Sequence, residues 1–200
     1  MTSIKLVLAS SSRYRRQLLQ KLGMEFIWSS PNIDETPGKH ETAEQLVLRL
    51  AKQKATALAA TFPEHLIIGS DQVATLNNQI IGKPHAHEDA VDQLTSFSGQ
   101  KVEFLTSLCL HNSKTHQSQL TLDKYTIKFR QLTGSQIENY LRREKPYDCA
   151  GSFKSEGLGI CLFEEMEGED PNTLIGLPLI ELVNMLINEG VDPLASAGKN

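Results

Sequence analysis

No stretch of the chain approaches the roughly twenty consecutive apolar residues that a membrane helix requires. The apolar opening, Ile4-Lys5-Leu6-Val7-Leu8-Ala9, is too short for a signal peptide and runs into Arg13, Arg15 and Arg16, so it reads as a first strand. Cysteine is scarce: Cys109, Cys149 and Cys161 are an odd number with no CxxC spacing, which argues against a disulfide framework or a zinc site. An excess of basic residues is also missing, with 20 Lys and Arg against 24 Asp and Glu and a net charge of −4. That balance speaks against general binding of nucleic acid or of anionic membrane, while leaving room for a small phosphorylated ligand in a local cationic pocket. No repeat, low-complexity block or Gly/Ser-rich linker divides the 200 residues. What remains is ordinary globular composition, 40% apolar and 22% charged. One cytoplasmic domain over residues 1–194 is expected, with 195–200 as a frayed tail.

Strand and helix patterns interleave along the chain. Arg13–Leu22 places Leu18, Leu19 and Leu22 on one helical face, with Ser11 or Ser12 able to cap its start, and Glu25–Ser29 reads as a second strand. Thr42-Ala43-Glu44-Gln45 has capping-box spacing and opens a helix to about Ala60. Leu66–Gly69 reads as a short strand that ends at Ser70-Asp71-Gln72, followed by a hairpin of Val73–Leu76 and Gln79–Ile81. Glu88–Phe97 and Gly134–Arg143 are predicted helices, and Gln100–Leu110 and Gln117–Phe129 two long strands. Gly159–Glu164 is a predicted strand, and Leu177–Asn188 a last helix closed by Gly190. The class is α/β with a mixed sheet, and the long central hairpin suggests a second lobe beside the parallel part.

Four segments could carry chemistry. Ser10-Ser11-Ser12-Arg13-Tyr14-Arg15-Arg16 joins a strand to a helix N-terminus, where free N–H groups and the dipole favour an anion. Three arginines in that first turn oppose the dipole unless a phosphate offsets them; the plainer alternative is an N-cap with solvated arginines. Asp34-Glu35 lies in an irregular loop and can hold a divalent cation or face water. Asp71, at the end of an apolar strand, sits where open α/β sheets place their ligands and can bind a metal or deprotonate a water, or serve as a turn aspartate. Downstream, Gly82-Lys83-Pro84 holds a lysine in a stiff turn suited to a phosphate, and Lys52 or Lys54 on the long helix can reach the same cleft. Asp148-Cys149-Ala150-Gly151-Ser152-Phe153-Lys154-Ser155-Glu156-Gly157 is glycine-rich without being a Walker A loop, and implies a backbone in close approach to something.

In this order the segments resemble the Maf family of nucleotide pyrophosphatases, from Lys5 to Leu194. The family's Ala-Ser-x-Ser-Pro-Arg-Arg corresponds to Ala9–Arg15, its Asp-Glu loop to Asp34-Glu35, its Gly-Ala-Asp-Thr-Val to Gly69-Ser70-Asp71-Gln72-Val73, and Gly82-Lys83-Pro84 matches directly. The departures, Tyr14 for an arginine, Gln72 for a threonine and Glu156 for a glutamine, are similar to the YceF subgroup, associated with 7-methyl-GTP where the main family takes dTTP or UTP. The resemblance implies an elongated fold with a mixed, twisted sheet and two lobes around a cleft, related to the inosine triphosphate pyrophosphatases and often homodimeric. It implies Asp71 as general base, Mg²⁺ or Mn²⁺ near Glu35 and Asp71, phosphates at Ser10, Ser12, Arg15, Lys54 and Lys83, and base choice at Tyr14, Gln72 and Glu156. It also carries a rival role, since Maf proteins are linked to inhibition of septum formation. Physical chemistry favours the cationic methylated base independently: a tyrosine face attracts a cationic ring, and a carboxylate such as Glu156 accepts from its N–H groups with charge assistance.

Overall fold

The computed structural model describes residues 5–195. The expected strand residue Ile4 and the expected tail beyond Ala195 lie outside the described residues. Strands β1 (Lys5–Ala9), β2 (Phe26–Ser29), β3 (His65–Leu76), β4 (Gln79–Ile81), β5 (Lys101–Asn112), β6 (Gln117–Phe129) and β7 (Phe163–Glu167) form one mixed sheet. Its order is β2-β1-β3-β5-β6-β7, with β4 also on β3. The β1 pairings with β2 and β3 are parallel; the rest are antiparallel. Helices α1 (Arg13–Gln20), α2 (Ala43–Ala57), α3 (His87–Phe97), α4 (Gly134–Glu144), α5 (Pro171–Ile175) and α6 (Leu179–Asn188) complete the fold.

Strand alternation divides the core by face. Leu6, Leu8, Leu66 and Ile68 pack with Leu18 and Leu19 of α1 and with Leu182 and Leu186 of α6. Val7, Ala9 and Ile67 point the other way, against Ala51 and Ala55 of α2. A separate cluster at the far end of the sheet joins Leu94 and Phe97 of α3, Ile137 and Leu141 of α4, and Phe104, Ile127 and Phe129. The long hairpin β5–β6 does not leave the sheet. It runs antiparallel along β3 from Leu66 to Thr75, so the second lobe is an extension of the same sheet.

Strand β3 corrects the expectation that it stops at Gly69. It continues unbroken from His65 to Leu76. Along one edge His65–Ile68 pair with β1, and Ala74–Leu76 pair with β4. Between those pairings Gly69–Val73 has no strand neighbour on that side among the described residues, and this gap is the floor of the cleft between the lobes.

Other boundaries shift for local reasons. The capping box of Thr42 and Gln45 is formed as expected, but α2 gives way to turns after Ala57. The expected strand Gly159–Glu164 is instead a 3₁₀ turn over Leu158–Leu162 followed by β7. The expected helix Leu177–Asn188 starts two residues later, behind the N-cap Pro178, and the short α5 before it was not foreseen.

Candidate active site

Helix α2 rests unusually close to β3. A Cβ on Gly69 would lie 2.2 Å from the Ala51 carbonyl oxygen and 2.8 Å from the Ala55 nitrogen, so only glycine permits this approach. The seating carries Lys54, 7% exposed, onto Asp71, also 7% exposed. Its Nζ stands 2.6 Å from Asp71 Oδ1 and 3.1 Å from Glu35 Oε1. The two acids therefore converge on one ammonium, although 36 residues separate them in sequence.

The adjacent Asp34 does something else. Its Oδ1 accepts from the Thr36 amide at 2.9 Å, which shapes the loop, and hydrogen bonding from the Thr36 hydroxyl, helped by that amide, lowers its pKa. The same loop is tied to α2 by Glu41, whose carboxylate accepts from Arg49 Nε at 2.6 Å and Nη2 at 2.8 Å. That hydrogen bonding from Arg49, helped by the Gly38 amide, brings the Glu41 pKa down to about 2.

Across the cleft, the turn before α1 uses its hydroxyls locally. Ser10, buried, accepts from the Ser12 amide at 3.1 Å, and Ser12 caps α1 by accepting from the Arg15 amide at 3.4 Å. The first-turn N–H groups of Arg13 and Tyr14 have no intrahelical acceptor and remain for an anion. The three arginines diverge. Arg15 donates from Nε to the Gly176 carbonyl at 2.8 Å, and Arg16 stacks 4.1 Å over the Trp28 ring. Burial lowers the Arg15 pKa, opposed by the negative charges of Asp71 and Glu35. Arg13 folds over the Tyr14 ring at 4.8 Å and donates to its hydroxyl at 2.8 Å. One face of Tyr14 is thus covered by the chain's own cation, a contact that the sequence does not announce. Burial raises the Tyr14 pKa to about 12, so the phenol is neutral at ordinary pH.

Two adjoining cavities collect these residues. The larger, 870 Å³, is lined by Ser10, Arg15, Glu35, Lys54, Asp71 and Lys83, among others. The smaller, 100 Å³, is lined by Tyr14, Gln72 and Glu156 together with Cys149, Phe153 and Ile175. Ser12, Tyr14, Arg15, Gln72, Lys83 and Asp148 border both. Every residue singled out for phosphates, metal or base therefore lines one or both of these adjoining cavities. Lys83 is exposed and forms no ion pair among the described residues, with its loop anchored by the His85 amide on the Tyr147 carbonyl at 3.2 Å.

The glycine-rich segment serves its own chain more than a ligand. A Cβ on Gly159 would lie 2.3 Å from the Lys154 carbonyl oxygen, so the glycines let the segment fold back on Lys154 while Ser155 and Glu156 face the small cavity. Asp148 and Cys149, quoted in the motif without a role, also line that cavity. Burial pushes the Cys149 thiol up to about 12.

The donor set fits a divalent cation of limited protein ligation. Two carboxylates meet at a point where a cation already stands, the Lys54 ammonium. Among the described residues no three His, Cys, Asp or Glu side chains form a cage, so phosphate oxygens and water would complete the coordination, as hard Mg²⁺ sites commonly require.

Taken together, an open sheet edge with carboxylates facing a cleft that also carries several cations, on an α/β fold, is a candidate site suited in charge and size to a phosphorylated small molecule. The chain belongs to the Maf family, whose Maf-like protein model matches residues 5–189. It is 58% identical over 186 residues to a 7-methyl-GTP pyrophosphatase of Pseudomonas savastanoi pv. phaseolicola, covering 93% of this chain and 97% of that protein. It is 50% identical over 194 residues to a 7-methyl-GTP pyrophosphatase of Colwellia psychrerythraea, covering 97% of each. Its fold is similar to that of the Staphylococcus aureus Ham1 protein, with a TM-score of 0.53 at 12% identity, covering 93% of this chain and 99% of that one.

Proposed function

We propose that this protein hydrolyses 7-methyl-GTP to 7-methyl-GMP and pyrophosphate, clearing a modified nucleotide. The observation that carries the reading is the small cavity in which Tyr14, Gln72 and Glu156 meet beside the acid-bearing cleft. An aromatic ring, an amide and a carboxylate suit a base with positive charge and N–H donors better than they suit a pyrimidine. The names of the relatives at 50% and 58% identity support the same substrate.

In this reading a water attacks the α-phosphorus, Asp71 takes its proton, and the bond to the oxygen bridging to the β-phosphate breaks to release pyrophosphate. Lys83, Arg15 and the N–H groups at the start of α1 offset charge on the phosphates. Lys54 holds Asp71 and Glu35 in place and lies within reach of the same oxygens. Glu35 and Asp71 would hold Mg²⁺ or Mn²⁺, which when bound supplies charge neutralisation on the triphosphate.

The test is pyrophosphate release from 7-methyl-GTP, GTP, UTP and dTTP with Mg²⁺, Mn²⁺ or EDTA. Highest kcat/KM on 7-methyl-GTP, lost in EDTA, is expected; highest kcat/KM on UTP or dTTP would overturn the substrate assignment. No helix among the described residues is long and apolar enough to cross a membrane, and we place the reaction in the cytoplasm, where nucleotide pools reside. We also propose a homodimer, supported by the edge strand β2 with Ile27 and Trp28 47% and 52% exposed. Sedimentation of a monomer at micromolar concentration would end that assignment.

A further inference from the structure

Gln72, Thr106 and Asp123 stand side by side on three adjacent strands. Gln72 of β3 is paired with Thr106 of β5, and Thr106 with Asp123 of β6. All three reach the same residue, Thr173 of α5. Its carbonyl accepts from Gln72 Nε2 at 2.8 Å and from Thr106 Oγ1 at 3.0 Å, and its hydroxyl donates to Asp123 Oδ2. Gln72 Nε2 also donates to Thr106 Oγ1 at 2.8 Å and approaches the Leu174 carbonyl at 3.2 Å. Thr106 and Thr173 are both fully buried.

This network decides which end of the Gln72 amide the ligand meets. The carbonyls of Thr173 and Leu174 can only accept. The Thr106 hydroxyl spends its hydrogen on Thr173, so toward Gln72 it too can only accept. The two carbonyls require the amide nitrogen, and the oxygen is left without a hydrogen-bond partner among the described residues, on a side chain that borders both cavities. A flipped amide would set an oxygen against the Thr173 and Leu174 carbonyls at a half-buried position, which is disfavoured.

We propose that Asp123 and Thr173 are positioning residues for base selection: Asp123 holds Thr173, and Thr173 holds Gln72 so that it offers its oxygen to the base. An amide oxygen attracts a cationic ring or an edge carrying N–H donors, as the guanine edge does with its ring N–H and amino group. It repels the carbonyls that flank the single N–H of uracil. Asp123 touches no nucleotide in this arrangement and acts through Thr173. The inference rests on the 7-methyl-GTP reading for the identity of the base, but the orientation of Gln72 does not.

Two measurements separate them. The first is NMR of the Gln72 side-chain amide in the full chain. Wild type should show slow exchange and hydrogen-bond coupling to the Thr173 carbonyl, both lost in Asp123→Ala and Thr173→Val. The second is kcat/KM for 7-methyl-GTP, GTP and UTP. Asp123→Ala and Thr173→Val should lower the preference for 7-methyl-GTP over UTP by about three- to tenfold, the scale of one weakened hydrogen bond, with UTP changed by less than about twofold. Asp123→Asn keeps an oxygen for the Thr173 hydroxyl and should retain the preference. Fast exchange of the wild-type amide, or equal losses on all three nucleotides, would overturn the proposal. A protected amide in a wild type with no preference for 7-methyl-GTP would instead overturn the substrate reading and leave the orientation standing.

Discussion

Lys54 meets Asp71 at 2.6 Å and Glu35 at 3.1 Å, so both acids have a cationic neighbour before any substrate arrives. Asp71→Asn keeps the size and one oxygen toward Lys54 but removes the proton acceptor. It should reduce kcat by about two to four orders of magnitude, with melting temperature and nucleotide binding little changed. Near-normal turnover in that variant would take Asp71 out of the mechanism. Glu156 poses a different question, because it lines the small cavity and forms no ion pair among the described residues. If it accepts from a cationic base, Glu156→Gln should cost 7-methyl-GTP roughly ten- to a hundredfold in kcat/KM relative to GTP and UTP. Tyr14→Leu should act in the same direction more weakly, since Arg13 already covers one face of the ring. Uniform losses across the three nucleotides would sink the cationic-base account.

At the scale of elements, the site depends on how α2 sits. Gly69→Ala would drive a methyl group into the Ala51 carbonyl, and the helix must back away. Overpacking of this kind costs about 1–3 kcal/mol. The same retreat lifts Lys54 from Asp71, so kcat should fall together with stability in urea unfolding; a stable variant with normal kcat would show that the seating is not needed. Helix α2 itself was legible because its capping box and the spacing of Leu46, Val47 and Leu50 are local signals. The full length of β3 was not. Ser70-Asp71-Gln72 reads as a polar break, yet each side chain is satisfied from afar, by Gly176, Lys54 and Thr173. Five-residue α5 is too short to show a period, and the apolar run after Gly159 turns 3₁₀ because the chain folds back on Lys154. In the site, Glu35, Asp71 and Lys83 were readable from motifs. The row of Thr106, Asp123 and Thr173 was not, because strand register and the docking of α5 on the sheet bring together residues as much as 67 apart.

The whole molecule carries a net charge of −4, yet the cleft that holds Asp71 is lined by Arg13, Arg15, Arg16, Lys54 and Lys83 against Glu35, Asp71 and Asp148. A local cationic surplus inside low-dielectric walls attracts a polyanion that the global charge would repel. Titration of groups within and around this cleft and in the rest of the fold sets the pH range over which the arrangement survives. On the acid side the pKa of Glu41 is depressed from 4.5 to about 2, and those of Asp34 and Glu138 are also lowered. Their contribution is present above the unfolded values and is lost as pH falls through the folded ones. On the alkaline side burial raises Cys109 from 9.0 to about 11, Cys149 to about 12 and Tyr14 from 10.0 to about 12, and Tyr140 is raised as well. The folded state keeps these protons longer than the unfolded chain, so their contribution is full below pH 9 and is lost as pH rises. For the fully buried Cys109 the retained proton is worth at most about 1.4 kcal/mol per pH unit within its window. Urea unfolding from pH 8 to 10.5 should therefore show stability falling from about pH 9. In Cys109→Ala that decline should be shallower by about 1–2 kcal/mol over the range, whatever the absolute cost of the lost packing. A Cys109→Ala curve parallel to wild type up to pH 10.5 would mean that the buried thiol does not set the alkaline limit.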